Sequence, residues 1–97
     1  MRRSKLETYV DILKVLAHNG SLKLTHVMYK ANLNCSALEE YLDFLIKRGL
    51  VEKRTLGKAK VVFAITQQGL TVLKYFREIN QALPIVEEDR EQAAIPY

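Results

Sequence analysis

At 97 residues the chain is sized for one domain around a single modest hydrophobic core, and 48% hydrophobic residues argue against general disorder. No apolar run approaches the roughly 18 residues that cross a bilayer, and the basic residues near the N-terminus (Arg2, Arg3, Lys5) are followed by no apolar stretch of a secretory signal. The net charge of +4 is uneven: residues 1–80 carry 14 Lys/Arg against 7 Asp/Glu, whereas residues 81–97 carry one Arg against four acids, Glu87, Glu88, Asp89 and Glu91. A basic body with an acidic tail points to a polyanionic partner for the body. The single cysteine, Cys35, excludes an internal disulfide framework and fits a reducing compartment, so the expected location is the cytoplasm.

Ser4 and Glu7 have the spacing of a capping box. Behind them Leu6, Tyr9, Val10, Leu13, Leu16 and Ala17 recur as one apolar stripe, with Glu7, Asp11, Lys14 and His18 opposite. With Asn19 and Gly20 as the stop, this predicts a helix over 5–18. Residues 21–24 read as an extended link with room for a short extra strand. Thr25 is placed to cap a second helix reaching Ala31, with Val27, Met28 and Ala31 inward and His26 and Lys30 outward. Asn32, Leu33 and Asn34 form a turn, and Asn34 is a good N-cap for a third helix that runs to about Arg48 and stops at Gly49. About three residues between these two helices is helix-turn-helix spacing.

Beyond Gly49 the period changes. Residues 50–54 read as a strand, 56–60 hold a turn, and 61–65 form a β-branched strand of the buried type, making a hairpin. Thr66 then caps a fourth helix over 67–82, closed by Pro84. The remainder, 84–97, is acidic and aperiodic and is expected to be a flexible tail beyond a domain spanning 1–83. The fold class is mainly α with a small β-hairpin, in the order helix, helix, helix, strand, strand, helix. A two-stranded wing cannot stand alone and must pack on the helices, which gives a winged helix-turn-helix.

Three stretches carry a family resemblance: KLTHVMYKANL at 23–33, LEEYLDFLIKRGLV at 38–51 and AITQQGLTVL at 64–73. Together they are similar to small archaeal winged-helix proteins, DNA-binding and transcription-regulator-like, and the resemblance covers roughly 4–83. MYKAN followed by YLxFL and GL is fairly specific to that group; ITxxG before the last helix is common to many winged helices. The resemblance implies duplex DNA binding. Members with a long last helix dimerise through an antiparallel coiled coil, and a helix of about 16 residues before Pro84 is too short for that arrangement.

A helix-turn-helix sets its third helix into the major groove. Here that helix turns Leu38, Tyr41, Leu42, Leu45 and Ile46 inward and Ser36, Glu39, Glu40, Asp43 and Lys47 outward. Three acids on the outer arc repel phosphate, and their usual base contact is limited to accepting from cytosine N4. Affinity is therefore expected from the wing, where Lys47, Arg48, Lys53, Arg54, Lys58 and Lys60 face one acid, Glu52. Lys23, Thr25, His26 and Lys30 add phosphate partners near the start of the second helix, and Arg2, Arg3 and Lys5 form a basic arm. The candidate DNA-binding residues are thus Lys23, Thr25, Lys30, Asn34, Ser36, Glu40, Lys47, Arg54, Lys58 and Lys60. The corresponding reading is a transcriptional regulator or minor chromatin-type protein, nucleoid-associated, that contacts mainly phosphates. The competing reading is a winged-helix module that binds a basic protein through the acidic face of the third helix.

The fourth helix spreads apolar residues over roughly half its circumference, more than the stripe of about 100° that packing on its own domain needs. Val72, Tyr75, Phe76, Ile79 and Leu83 are the expected interface of a symmetric homodimer. Cys35 falls beside Leu42 on the wheel and is expected to be a small core residue; Tyr9, Tyr29, Tyr41 and Tyr75 lie on or beside apolar faces, where core packing is expected. His18 and His26 are on different helices, and no spacing marks a metal site, a cofactor loop or a nucleophile–base pair. No cofactor and no enzymatic activity are expected.

Overall fold

The computed structural model describes residues 3–83; the expectations for a tail over 84–97 and for Arg2 lie outside the described residues. The order is α1 (Lys5–Asn19), α2 (Leu24–Ala31), α3 (Cys35–Lys47), β1 (Val51–Leu56), β2 (Lys60–Ile65) and α4 (Gln67–Ala82). This is the helix and strand order expected from the sequence.

The capping box opens α1: Ser4 Oγ accepts from the Glu7 backbone N–H at 3.1 Å, and Glu7 Oε1 accepts from the Ser4 N–H at 2.8 Å. The inward face is broader than the stripe and shifted from it. Val10, Leu13 and Leu16 are buried as expected, but so are Ile12 and Thr8, while Leu6 is 46% exposed and Ala17 lies at the surface. The cause is tertiary: α2, β2 and α4 all pack on α1, so a wider arc is covered than one facing layer would cover. Burial leaves no orphan hydroxyl at Thr8, which donates to the Ser4 carbonyl at 3.0 Å.

Helix α2 begins one residue before the expected cap. Lys23 is the N-cap without a side-chain bond, its carbonyl accepting from His26 N–H at 3.0 Å and Val27 N–H at 3.1 Å. Leu24, packed against the core, is drawn into the first helical position, which leaves Thr25 inside the helix and not capping it. At the other end Asn32 takes the left-handed conformation (φ 56°, ψ 55°), tolerable for Asn, and turns the chain toward α3. Asn34 caps α3 as expected, its side chain accepting from Ala37 N–H at 2.8 Å.

The wing is antiparallel, paired from Val51 with Ile65 to Leu56 with Lys60. The extra strand expected near 21–24 is reduced to a single bridge on the other edge of β2, where Leu22 and Phe63 exchange N–H···O bonds of 3.0 and 2.8 Å. One core holds all elements together: Val10, Ile12, Leu13 and Leu16 from α1, Val27 and Ala31 from α2, Leu38, Leu42 and Leu45 from α3, then Val51, Phe63 and Leu73.

The junction before α4 shows why ITxxG recurs there. Thr66 Oγ1 accepts from Gly69 N–H at 3.0 Å and donates to the Gly49 carbonyl at 2.7 Å, while Thr66 N–H donates to the Leu50 carbonyl at 3.1 Å. One residue thus caps α4 and ties it to the turn that ends α3. That turn needs Gly49 (φ +77°), whose flanking N–H groups close back on the last carbonyls of α3.

Candidate nucleic-acid interface

The helix-turn-helix places Ser36, Glu39, Glu40, Asp43 and Lys47 on the exposed arc of α3. Asn34 is exposed at the start of that helix, but its Oδ1 is committed to the cap, which leaves Nδ2 as the group able to donate outward. Cys35 is not a core residue. It is exposed at the first position of α3, its thiol 3.9 Å from Glu39 Oε2, because buried contacts on this helix begin only at Leu38, one turn further in.

The tyrosines divide. Tyr9 and Tyr41 are half-buried, and Tyr9 meets Tyr41 edge-on at 5.0 Å and stacks on Phe44 at 4.8 Å. Tyr29, expected in the core, is 80% exposed on α2, and Tyr75 is 58% exposed on α4. Tyr29 stands on the outer face of α2, opposite its inward residues, and Tyr75 lies on the outer side of α4; among the described residues no other element covers either.

Of the six wing-segment cations, Arg48 and Arg54 have partners within the protein and Lys53 borders a groove. The Arg48 guanidinium lies over the Phe44 ring, 5.0 Å from its centroid. Arg54 pairs with Glu52, which shares its face of β1 by the two-residue period of a strand; Arg54 Nε donates to Glu52 Oε2 at 2.8 Å, and Nη2 binds the same oxygen. Lys53 points with Val51 toward α3 and lines a groove of about 340 Å³ beside Glu39 and Asp43. Lys47, Lys58 and Lys60 are exposed, with no ion pair among the described residues.

Lys60 is brought to the helix-turn-helix. With Ala59 and Val61 it forms one side of an open depression of about 640 Å³ whose other side is Lys23, Leu24 and Thr25. Lys23 and Thr25 at the start of α2 and Lys60 on the wing therefore border one surface. Lys30 lies further along the exposed side of α2. Arg3 is not part of a basic arm: it pairs with Asp11 at 2.8 Å and donates to the Ala31 and Asn32 carbonyls at 2.8 and 2.9 Å, satisfying acceptors at the C-terminal end of α2. Arginine's fork of donors makes all three bonds possible at once, which composition alone does not reveal.

On α4 two stripes run side by side. Gly69, Leu73, Phe76 and Asn80 face the body, and Val72, Tyr75 and Ile79 follow about 100° round as an exposed row that Leu83 continues. Phe76, expected at a dimer interface, packs against the core and lines the groove between α1 and α4.

The fold and this surface together define a winged helix-turn-helix protein, and the chain belongs to the winged helix-turn-helix family, whose profile matches residues 2–83. An uncharacterized protein of Methanocaldococcus jannaschii is 34% identical over 82 residues, covering 84% of this chain and 78% of that one. Sso10a-2, a DNA-binding protein from Sulfolobus solfataricus, is similar in structure with a TM-score of 0.68 and 26% identity, covering 98% of this chain and all (100%) of that one. A MarR-family transcriptional regulator from Silicibacter pomeroyi shares the fold with a TM-score of 0.72 at 20% identity, covering 97% of this chain. The chain spans 61% of that regulator's length. Among the described residues no helix is long and apolar enough to cross a membrane.

Proposed function

We propose that the protein binds duplex DNA as a transcriptional regulator or minor chromatin-type protein, nucleoid-associated, gripping phosphates with the wing and the start of α2 while α3 lies in the major groove. The observation that carries this reading is the convergence of Lys23, Thr25 and Lys60 on one open depression, with Lys58 beyond it at the hairpin turn. Cations on that surface are in place for two neighbouring stretches of a phosphodiester backbone. Similarity to Sso10a-2 along its full length supports the same reading. Ser36, Glu40 and Lys47 meet base edges or flanking phosphates, and the acidic arc keeps sequence discrimination weak. Val72, Tyr75, Ile79 and Leu83 form the contact of a homodimer, with Phe76 behind them as support.

The wing assignment is tested by measuring affinity for a random duplex across salt concentrations, for wild type and for Arg54→Ala/Lys58→Ala/Lys60→Ala. Each cation on a phosphate contributes about 0.9 to the slope of log K against log salt. Lys58 and Lys60 should each remove that much, and Arg54 less because Glu52 already holds it, so the slope should fall by about 2 per protomer. An unchanged slope in the triple variant would remove the wing from the interface.

The exposed Glu39, Glu40 and Asp43 favour a second reading, a module that docks on a basic protein through α3. That reading requires wild type to ignore random duplex at micromolar protein and low salt.

A further inference from the structure

Tyr29 is the most exposed of the large hydrophobic side chains in the described part of the molecule. Its helix is chemically distinct from its neighbour in the motif. Helix α2 contains no Asp or Glu, and the whole stretch from Ile12 to Leu38 carries none, whereas the exposed arc of α3 carries three acids. Winding α2 at about 100° per residue puts Thr25, Tyr29, His26 and Lys30 on one arc of roughly 140°, with Val27, Ala31, Leu24 and Met28 opposite. All four residues of that arc are exposed. Thr25 already borders the depression shared with Lys23 and Lys60, and Tyr29 stands one turn further along, about 6 Å in rise. The acid beside the C-terminal end of α2, Asp11, is paired with Arg3, whose charge offsets it.

We propose that this acid-free outer face of α2 is the track of one phosphodiester strand of duplex DNA, and that Tyr29 is a binding residue on it. The inference rests on the duplex-binding reading above and adds a contact which that reading does not contain. The first helix of a helix-turn-helix crosses the backbone, where side-chain hydroxyls as well as cations bond phosphate oxygens. Tyr29 brings a phenolic O–H that donates to a non-bridging phosphate oxygen and a ring that lies against the adjoining sugar. It does so with only two side-chain torsions to fix, so little freedom is lost on binding. Being neutral, it differs from Lys30 in a measurable respect: it displaces no counterion, so it strengthens binding without adding to the salt slope.

The test compares wild type, Tyr29→Ala, Tyr29→Phe and Lys30→Ala on a random duplex by fluorescence anisotropy at several salt concentrations. Tyr29→Ala should weaken binding by about tenfold at every salt concentration, a loss in the range of hydrogen bonds to charged groups, with an unchanged slope. Tyr29→Phe should lose most of the same factor, because the hydroxyl makes the phosphate contact, and a Tyr29→Phe that binds like wild type would overturn the hydroxyl's role. Lys30→Ala should lower the slope by about 0.9 per protomer. Circular dichroism melts should coincide for all four proteins, since neither side chain is in the core. Tyr29→Ala binding within twofold of a wild type that itself binds would overturn the Tyr29 assignment and leave the duplex reading standing. A wild type that does not bind would overturn both.

Discussion

A Cβ built on Gly69 would lie 2.3 Å from the Leu50 carbonyl oxygen and 2.6 Å from Ile65 Cγ1. The first neighbour is backbone in the turn that Thr66 ties down from both sides, so it cannot swing away as a side-chain tip would. Gly69→Ala should therefore destabilise by at least about 2 kcal/mol, the cost of overpacking a closed site, although alanine is the better helix former. Urea denaturation checks this, and a variant as stable as wild type would show that α4 can lift off the α3–β1 turn. The glycine and its threonine were legible as a pattern; the reason for them was not, because the colliding oxygen comes from a residue 19 positions earlier (Leu50 to Gly69). A limit of the same kind applies to Arg3, whose acceptors lie 28 and 29 positions away, and to Cys35 on its helix. A helical wheel gives the direction of a side chain but not how far the neighbouring elements reach around it.

At the scale of elements, boundaries and caps followed local chemistry wherever one side chain decides them. Ser4, Asn34 and Thr66 all cap as their sequence context implies. Helix α2 departs because burying Leu24 outweighs a cap from Thr25. Helix α4 shows what surplus apolar surface looks like in three dimensions: Leu73 and Phe76 pack on the core while a second row faces outward. A lone exposed leucine needs no explanation, but a row of four large side chains along one helix calls for a partner. Wild type should sediment as a dimer at tens of micromolar, about the range where such interfaces form, and Val72→Glu/Ile79→Glu should sediment as a monomer with its helical content intact. A wild-type monomer under those conditions would remove the α4 interface and leave the DNA surface unaffected.

Over the whole molecule, counting charges does not show which wing cations meet partners within the protein. Of the six cations set against one acid in residues 47–60, Arg54 pairs with Glu52 and Arg48 lies over Phe44, while Lys53 borders the groove beside Glu39 and Asp43 with no ion pair among the described residues. What the fold adds is the approach of α2's start to Lys60, which spacing along the chain could not show because 36 residues lie between Lys23 and Lys60. Lys60 of the wing and Lys23 of the helix-turn-helix thus border one surface. The most direct test is the affinity of the full chain for a random duplex at about 50 and about 200 mM salt. Four phosphate-bound cations per protomer (Lys23, Lys30, Lys58 and Lys60) predict binding at micromolar protein or below in the lower salt, weakened by about a hundredfold or more in the higher. Absence of binding in the lower salt, or an affinity that does not change between the two, would contradict it.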